Sequence, residues 1–221
     1  MVLNSDWKEY FESRWKSGEF MRPREALQQL RTSPMDFLKR YPILNTFDCP
    51  SSGPTQAYFA NHIGTDARRP GTVLKTLSMH KTQAFRINLK QFMNGEGEAF
   101  PVLGIYTGKS SEGPAWCLLG GTGPDIMLTA KLTGCTFVAR PGPTGSQVEV
   151  AHLQPHEETG LALNERMKVK GQEAYGRLNY NIESRSINVI GIRSARGWEI
   201  YTQKLEKAHL AIRSVHRLFP A

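Results

Sequence analysis

A cysteine and a histidine stand in a sequence context that suits nucleophilic catalysis. Cys135 ends the run Leu132-Thr133-Gly134-Cys135, and His152 lies near the end of the next apolar stretch. Between them, the alternation of apolar and polar residues predicts a strand, a Gly- and Pro-rich loop over 141–146, and a returning strand. The segment therefore predicts a β-hairpin with a thiol at one end and an imidazole on the returning strand.

The expected register of this hairpin brings the two side chains together. If residues 141–146 form a symmetric loop, Arg140 lies opposite Gln147, and Cys135 lies opposite His152 on the same face. Directly opposed Cβ atoms of an antiparallel pair are about 4.5–5.5 Å apart, so the thiol and the imidazole would interact. A slip of one residue would send them to opposite faces. The apolar neighbours on their face would be Phe137 with Val150, and Ala139 with Val148.

Such a pair would perform thiol chemistry. An imidazolium beside Cys135 would lower the pKa of the thiol and yield the thiolate, which attacks a carbonyl carbon. Gly134 permits a bend at which backbone N–H groups point at a developing oxyanion. Thr129 lies on the incoming strand, where its hydroxyl would accept a hydrogen bond from the second nitrogen of His152 and fix the tautomer. The predicted catalytic residues are Cys135, His152 and Thr129, with Gly134 at the oxyanion.

The remaining thiols and one further histidine supply the alternatives. An isolated cysteine in a strand is usually a small buried hydrophobe, which is our interpretation of Cys117. Cys49 precedes a proline and is interpreted as a loop thiol without a partner. His156 is a competing base, but it lies beyond the ideal pairing of the hairpin.

The composition limits the classes of function. The 221 residues contain no CxxC or HExxH motif and no clustered Cys/His spacing, so we expect neither a metal site nor a cofactor. No apolar run approaches the roughly 18 residues of a membrane span. Residues 1–9 lack the apolar core of a Sec-type signal, which leaves export by a specialised secretion system open. Three cysteines cannot all pair within one chain, which favours a reducing compartment.

The net charge of +8 is unevenly distributed. Residues 165–221 carry eleven Lys and Arg against five acidic residues. A basic segment of this kind suits an acidic protein partner, nucleic acid or a membrane surface, or is simply a solvated face.

The pattern of elements predicts an α+β fold, with a mixed or antiparallel β-sandwich core flanked by helices. We divide the chain into residues 1–70, an N-terminal helical region with an irregular loop from Thr46 onward, and residues 71–221, the catalytic domain. Helices are predicted over Asp6–Trp15, Arg22–Leu30, from Ser33 onward, over 164–180 and over Leu205–Leu218. Strands are predicted over Phe85–Phe92, Phe100–Tyr106, Trp116–Leu119, Asp125–Leu132, Thr136–Arg140 and Gln147–Leu153, with a second hairpin over Ser186–Ile192 and Trp198–Gln203.

The Leu132–Cys135 run, followed by a strand, a Gly-rich loop and a histidine, resembles the Leu-Ser-Gly-Cys signature of bacterial glutamine deamidase toxins. These are the catalytic domain of cytotoxic necrotizing factor and the Burkholderia lethal factor, which have a β-sandwich core flanked by helices. They convert a glutamine of a host protein to glutamate: a Rho-family GTPase for the first, a translation initiation helicase for the second. Cys135 matches the signature cysteine, His152 the downstream histidine, and Thr129 a threonine that supports the histidine in the lethal factor. Thr133 replaces the serine of the signature.

The resemblance implies a secreted toxin or effector that deamidates a specific glutamine of a target-cell protein in the target-cell cytosol. Its substrate would be a Rho-family GTPase or a translation factor, and neither a cofactor nor nucleic acid would take part. The alternatives are another Cys–His acyl-transfer enzyme, either a protease or a transglutaminase, and a basic, non-enzymatic interaction module that uses residues 165–221. An amine in place of water would turn the same residues to transglutamination.

Overall fold

The computed structural model of the chain describes residues 9, 12–61, 83–90, 97–180, 185–206 and 211–220. Its longer helices are α1 (Pro23–Thr32), α2 (Pro34–Arg40) and α3 (Gly160–Met167). Its strands are β1 (Ile43–Asn45), β2 (Gly53–Asn61), β3 (Phe85–Asn88), β4 (Glu98–Ile105), β5 (Thr107–Lys109), β6 (Cys117–Leu119), β7 (Ile126–Thr129), β8 (Thr136–Pro141), β9 (Val148–Gln154), β10 (Glu173–Tyr175), β11 (Arg185–Ser194), β12 (Gly197–Glu206) and β13 (Ile212–Phe219).

The strands form two mixed sheets. The large sheet has the order β1-β3-β2-β4-β7-β11-β12-β13, and the small sheet has the order β10-β8-β9-β5, with β6 also paired to β9. Most pairs are antiparallel, but β1 with β3, β4 with β7, and β5 with β9 are parallel. The α+β class predicted from the sequence is confirmed.

Both faces of each sheet are buried, because successive side chains of a strand point to opposite faces and each face packs against another layer. The inner faces of the two sheets share one apolar layer, to which the large sheet gives Met127 and Val189 and the small sheet gives Phe137 and Val150. The other face of the large sheet packs against α1 and α2, and the other face of the small sheet packs against α3 through Leu163. The order of layers is therefore helix, sheet, sheet, helix, as expected for a sandwich flanked by helices.

The two N-terminal helices follow from local signals. Pro23 occupies the first turn of α1, and the backbone N–H of Arg22 donates to the Glu25 carboxylate at 3.1 Å. Pro34 begins α2 in the same way. Both predictions are confirmed. Trp7, Tyr10 and Phe11 of the first predicted helix lie outside the described residues, as does the predicted boundary between residues 70 and 71. No described helix is long and apolar enough to cross a membrane.

The six strands predicted between residues 85 and 153 are present, with ends shifted by a few residues. The second hairpin is present as β11 and β12, which turn between Ser194 and Gly197. These segments carry strong alternation, and their turns are marked by Gly and Pro, so local sequence was enough to locate them.

Three predictions of elements are wrong. The stretch from Thr46, predicted to be irregular, contains β2, because pairing with β3 on one edge and β4 on the other outweighs the local Gly and Pro signals. The helix predicted over 164–180 is α3, which ends at Met167, and Gly171 adopts a φ of 80° in the turn to β10. The helix predicted over Leu205–Leu218 is replaced by β13, because this segment pairs with β12 along the edge of the large sheet.

Side-chain hydrogen bonds from β11 and β12 of the large sheet reach β1 at its edge. The Gln203 side-chain oxygen accepts from the Ile43 N–H at 3.0 Å, and the Asn188 amide donates to the Ile43 carbonyl at 2.6 Å. The Gln203 amide nitrogen also donates to the carbonyls of Leu38 and Tyr41, each at 2.7 Å. The backbone that leads from α2 into β1 is thus satisfied by two buried amides of β11 and β12.

Replacing Gln203 with leucine should strongly destabilise the protein. Gln203→Leu leaves one N–H and two carbonyls buried without their partner, at a cost of about 2–4 kcal/mol in the free energy of unfolding. Urea unfolding followed by circular dichroism measures it. Gln56→Leu, at an exposed position of β2, is the control and should stay within about 0.5 kcal/mol of wild type. Equal stability of the two variants would contradict a structural role for the Gln203 amide.

Candidate functional site

His152 points into the apolar layer between the two sheets. It follows Val148 and Val150 on the inward-facing positions of β9, and it is 2 % exposed. Thr129, the last residue of β7 in the large sheet, contacts it from across the layer, and Thr107 at the start of β5 contacts it from the neighbouring strand. The site therefore lies where three strand ends from both sheets meet.

The hydrogen bonds of Thr129 determine which nitrogen of His152 carries the proton. The Thr129 hydroxyl lies 3.0 Å from the Ile105 carbonyl, an acceptor to which it can only donate. Having used its one proton there, it accepts from His152 Nδ1–H at 2.6 Å. The Thr107 hydroxyl lies 3.0 Å from the same nitrogen. The predicted contact between Thr129 and His152 is present, and it leaves Nε2 with a free lone pair.

The imidazole is held neutral. Burial lowers the pKa of His152 from 6.5 to about 3, because the charged form would lose its hydration. Nε2 is buried and, within the described part of the chain, has no hydrogen-bond partner. An unpaired buried acceptor is less costly than an unpaired buried donor, in agreement with the Nδ1–H tautomer. The acceptor nitrogen of the ring is therefore unoccupied, and its lowered pKa makes it a weak base in the resting protein.

The N-terminal region also supports the site. The Asn45 amide of β1 donates to the Thr129 carbonyl at 2.8 Å, and its oxygen accepts from the Phe47 N–H at 2.8 Å. Both Asn45 and Thr129 are buried. Sequence reasoning missed Asn45, because nothing near it in the chain indicates a partner so far away in sequence.

The register of the β8–β9 hairpin differs from the predicted one by two residues. Phe137, rather than Cys135, lies opposite His152, and Pro141 pairs with Val148. The loop occupies residues 142–147 because Gly142 approaches Gln147 closely: a Cβ on Gly142 would lie 2.8 Å from that of Gln147, and the Gly142 N–H donates to the Gln147 carbonyl at 2.9 Å. A shift of two residues preserves the face of every side chain.

Cys135 consequently lies one position before β8, on the diagonal from His152. Diagonal neighbours of a sheet are about 7–8 Å apart at Cα, within reach of long side chains. Cys135 is partly buried and packs against the same inner apolar layer that His152 enters. The two residues share one face and one end of the layer, without the direct opposition or the hydrogen bond between thiol and imidazole that we expected.

The electrostatic state of the thiol is the reverse of our expectation. We predicted that the imidazole lowers the pKa of Cys135. Burial raises it to about 11, opposed by a hydrogen bond from the Thr133 backbone, because no positive charge compensates for lost hydration. The resting pair is a neutral thiol and a neutral imidazole.

A tyrosine that the sequence did not indicate holds the Cys135 backbone. The Tyr180 hydroxyl accepts from the Gly134 N–H at 3.1 Å and donates to the Cys135 carbonyl at 2.7 Å. Gly134 has a φ of 154°, a conformation that favours glycine. Its own N–H is thus engaged, and the Cys135 N–H is the neighbouring donor that remains for an oxyanion. Tyr180 lay at the end of a predicted helix, without a motif to single it out.

The alternative residues lie elsewhere. His156 follows β9 on an exposed loop, where its Nδ1 lies 3.1 Å from the Ser111 hydroxyl. Cys49 packs in the core beneath α1 and α2, and Cys117 packs at the edge of the inner layer; burial raises the pKa of both thiols. Throughout the described ranges, no group of three His, Cys, Asp or Glu residues is arranged to hold a metal ion.

Comparison with known proteins adds little to this geometry. No protein-family model matches the chain, and no curated protein sequence matches it. Among solved structures, the chain is similar to the C-terminal domain of CNFy from Yersinia pseudotuberculosis, with a TM-score of 0.41 and 9 % identity over 89 % of this chain and 99 % of that one. A TM-score of 0.41 is too low to establish a shared fold.

The buried neutral imidazole should destabilise the protein in acid. Between pH 6.5 and about 3, the unfolded chain binds a proton at residue 152 that the folded protein does not. The free energy of unfolding therefore falls as the pH drops through this range, by about 1.4 kcal/mol per pH unit from this residue. We expect the His152→Gln variant to lack this pH-dependent part of the free energy of unfolding, as measured by urea unfolding across the same pH range. His216→Gln, at an exposed position, should keep it. Identical slopes for wild type and His152→Gln would contradict a neutral buried imidazole.

Proposed function

We propose that this chain is a Cys–His acyl-transfer enzyme that deamidates a glutamine side chain of a target-cell protein. The observation that carries the proposal is the oriented histidine. Thr129 accepts from Nδ1–H while donating to Ile105, so Nε2 is left as a buried base at the end of the layer where Cys135 lies. An ordinary core histidine would have both nitrogens satisfied or exposed to water.

The first chemical step is attack on the carboxamide. His152 Nε2 takes the proton of the Cys135 thiol as sulfur bonds to the amide carbon, and the carbonyl oxygen becomes an oxyanion. Backbone N–H groups at Gly134–Cys135 are the proposed donors to this oxygen, with the Cys135 N–H as the available one. Because both groups start neutral, the imidazolium forms only as sulfur attacks, and it is stabilised by Thr129.

The remaining steps release ammonia and restore the thiol. His152 passes its proton from Nε2 to the amide nitrogen, the C–N bond breaks, and ammonia leaves a thioester on Cys135. The neutral imidazole then takes a proton from water as the hydroxide oxygen attacks the thioester. The C–S bond breaks as the imidazolium returns its proton to sulfur, which restores the thiol and the neutral imidazole, and the new carboxylic acid loses its proton to solvent to give glutamate. An amine in place of water would give transglutamination.

The nature of the substrate comes from the resemblance of the Leu132–Cys135 run, with its downstream histidine, to deamidase toxins. It suggests a secreted effector that acts in the target-cell cytosol on a Rho-family GTPase or a translation factor, without a cofactor. Cys135 is partly exposed whereas His152 is 2 % exposed, an arrangement that suits a side chain entering from the surface of another protein.

The distribution of the basic residues weighs against a non-enzymatic interaction module. Much of the basic C-terminal segment belongs to β11, β12 and β13 of the large sheet. Arg213 pairs with Glu206 at 2.7 Å, and Arg217 pairs with Glu199 at 3.3 Å. These charges are partly neutralised by ion pairs within the protein, and they lie along one edge of the large sheet.

Replacing the thiol should abolish the reaction without unfolding the protein. We expect wild type to convert glutamine to glutamate in one or a few proteins of a target-cell lysate, detected by peptide mass spectrometry as a gain of about 1 Da at specific sites. Cys135→Ser should show no conversion, since serine is a far weaker nucleophile here. Cys117→Ser should behave as wild type. Peptide cleavage or amine incorporation in place of the mass gain would indicate a protease or a transglutaminase, and equal lysates for wild type and Cys135→Ser would refute the proposal.

Removing the Thr129 hydroxyl should slow turnover more than it affects folding. Thr129→Val deletes the nearer of the two hydroxyls at His152 Nδ1 and leaves Thr107 at 3.0 Å, so the rate of conversion should fall about tenfold to a hundredfold. The ¹⁵N shifts of the ring should move from a single Nδ1–H tautomer toward a mixture. Thr202→Val is the matched control, because this buried hydroxyl on β12 has no hydrogen-bond partner in the described part of the chain. Unchanged ring shifts in Thr129→Val would contradict the assigned role.

A further inference from the structure

The Tyr180 hydroxyl binds two groups of one turn. It carries a single proton, which it donates to the Cys135 carbonyl at 2.7 Å, and its lone pair accepts the Gly134 N–H at 3.1 Å. The two groups flank the peptide bond between Gly134 and Cys135. Groups on both sides of this peptide bond are therefore hydrogen-bonded to the same Tyr180 oxygen, which limits the rotation of the peptide plane.

The α3 helix constrains the same peptide from another direction. A Cβ on Gly160, the first residue of α3, would lie 2.8 Å from the Gly134 carbonyl oxygen, so this carbonyl points at the start of the helix. In a trans peptide the C=O and N–H point in opposite directions. The Cys135 N–H therefore points away from α3, and no described group accepts from it.

We propose that Tyr180 is a positioning residue that holds the Gly134–Cys135 peptide so that the Cys135 N–H serves as the oxyanion donor. The inference rests on the proposed function, because it needs Cys135 to act as a nucleophile on a carbonyl. Tyr180 does not touch the reacting atoms. It acts through the backbone, much as Thr129 acts through His152.

Tyr180 is itself held firmly. Its ring stacks on Tyr175 with centroids 6.2 Å apart, and it is 4 % exposed. The turn before it is fixed by Asn164 of α3, whose side-chain oxygen accepts from the Leu178 N–H at 3.0 Å, and by Asn179, which accepts from the Gly176 N–H at 3.0 Å. Burial raises the pKa of Tyr180, so the hydroxyl keeps its proton and remains a donor at all physiological pH values.

Two small reagents separate this role from a general effect on the thiol. p-Nitrophenyl acetate acylates Cys135 through a tetrahedral oxyanion: sulfur bonds to the acetyl carbon, the thiol proton goes to His152, and p-nitrophenolate leaves. Iodoacetamide alkylates the same sulfur by displacing iodide, with no oxyanion. Both rates are measured on the full chain by peptide mass spectrometry of Cys135, with Cys135→Ser as the blank.

We expect Tyr180→Phe to slow acylation at least about tenfold while leaving alkylation within about twofold of wild type, because only acylation needs an oriented N–H donor. Tyr201→Phe is the matched control: Tyr201 is equally buried, its hydroxyl donates to Glu199 at 3.2 Å, and neither rate should change. If Tyr180→Phe changes both rates alike, or neither, the proposal is wrong.

A second variant keeps the test decisive if Tyr180→Phe does not fold. Gly160→Ala places a Cβ 2.6 Å from Arg177 Cγ, which can move aside, and 2.8 Å from the Gly134 carbonyl oxygen. It should therefore also slow acylation selectively, and an unchanged acylation rate would contradict a role for the orientation of this peptide. Neither reagent requires the natural substrate. A wild-type enzyme inactive on lysate proteins would therefore refute deamidation alone, whereas a Tyr180→Phe variant with wild-type acylation would refute the positioning role alone.

Discussion

The hydrogen bond between His152 and Thr129 is the interaction on which the proposed site depends. It joins the two sheets across their common apolar layer, and it is buried at both ends. The Thr129 hydroxyl donates its hydrogen bond to the Ile105 carbonyl of the adjacent parallel strand, so it can only accept from His152. The pairing of β4 with β7 thereby determines, through one hydroxyl, which tautomer the imidazole adopts.

The architecture explains why this bond is so constrained. Thr129 ends β7, and its carbonyl is bound by Asn45 of β1, while β1 is bound by the buried amides of Gln203 and Asn188. The N-terminal segment that follows α2 is therefore continuous with the site through a chain of buried amides. Asn45 and Gln203 each bond through both of their side-chain polar atoms, whereas the Asn188 oxygen has no hydrogen-bond partner in the described part of the chain.

The low polarity of the layer sets the protonation states. Burial lowers the pKa of His152 and raises that of Cys135, so both groups are neutral at rest. A preformed thiolate–imidazolium pair would need a compensating charge that the apolar surroundings do not supply. General-base activation by a neutral imidazole suits this environment, because charge develops only when the substrate and the oxyanion donors are in place.

The sequence determined the residue types and the faces on which they lie. The two-residue periodicity of the sequence predicted the faces of Cys135, just ahead of a strand, and of His152 on the returning strand. A register shift of two residues leaves both faces unchanged. Thr129 lies on β7 of the other sheet, and the same two-residue alternation directs it, like Met127, toward the shared apolar layer. The helix caps at Pro23 and Pro34 and the hairpin of β11 and β12 were equally local.

Only the tertiary structure decided the rest, because it depends on contacts between residues far apart in the chain. The close approach of Gly142 and Gln147 set the hairpin register. Pairing with β12 made β13 a strand where local periodicity predicted a helix. Asn45 and Tyr180 reach the site from distant segments without any local motif. The protonation of Cys135 and His152 followed from burial, which belongs to the packed molecule and which no short stretch of sequence contains.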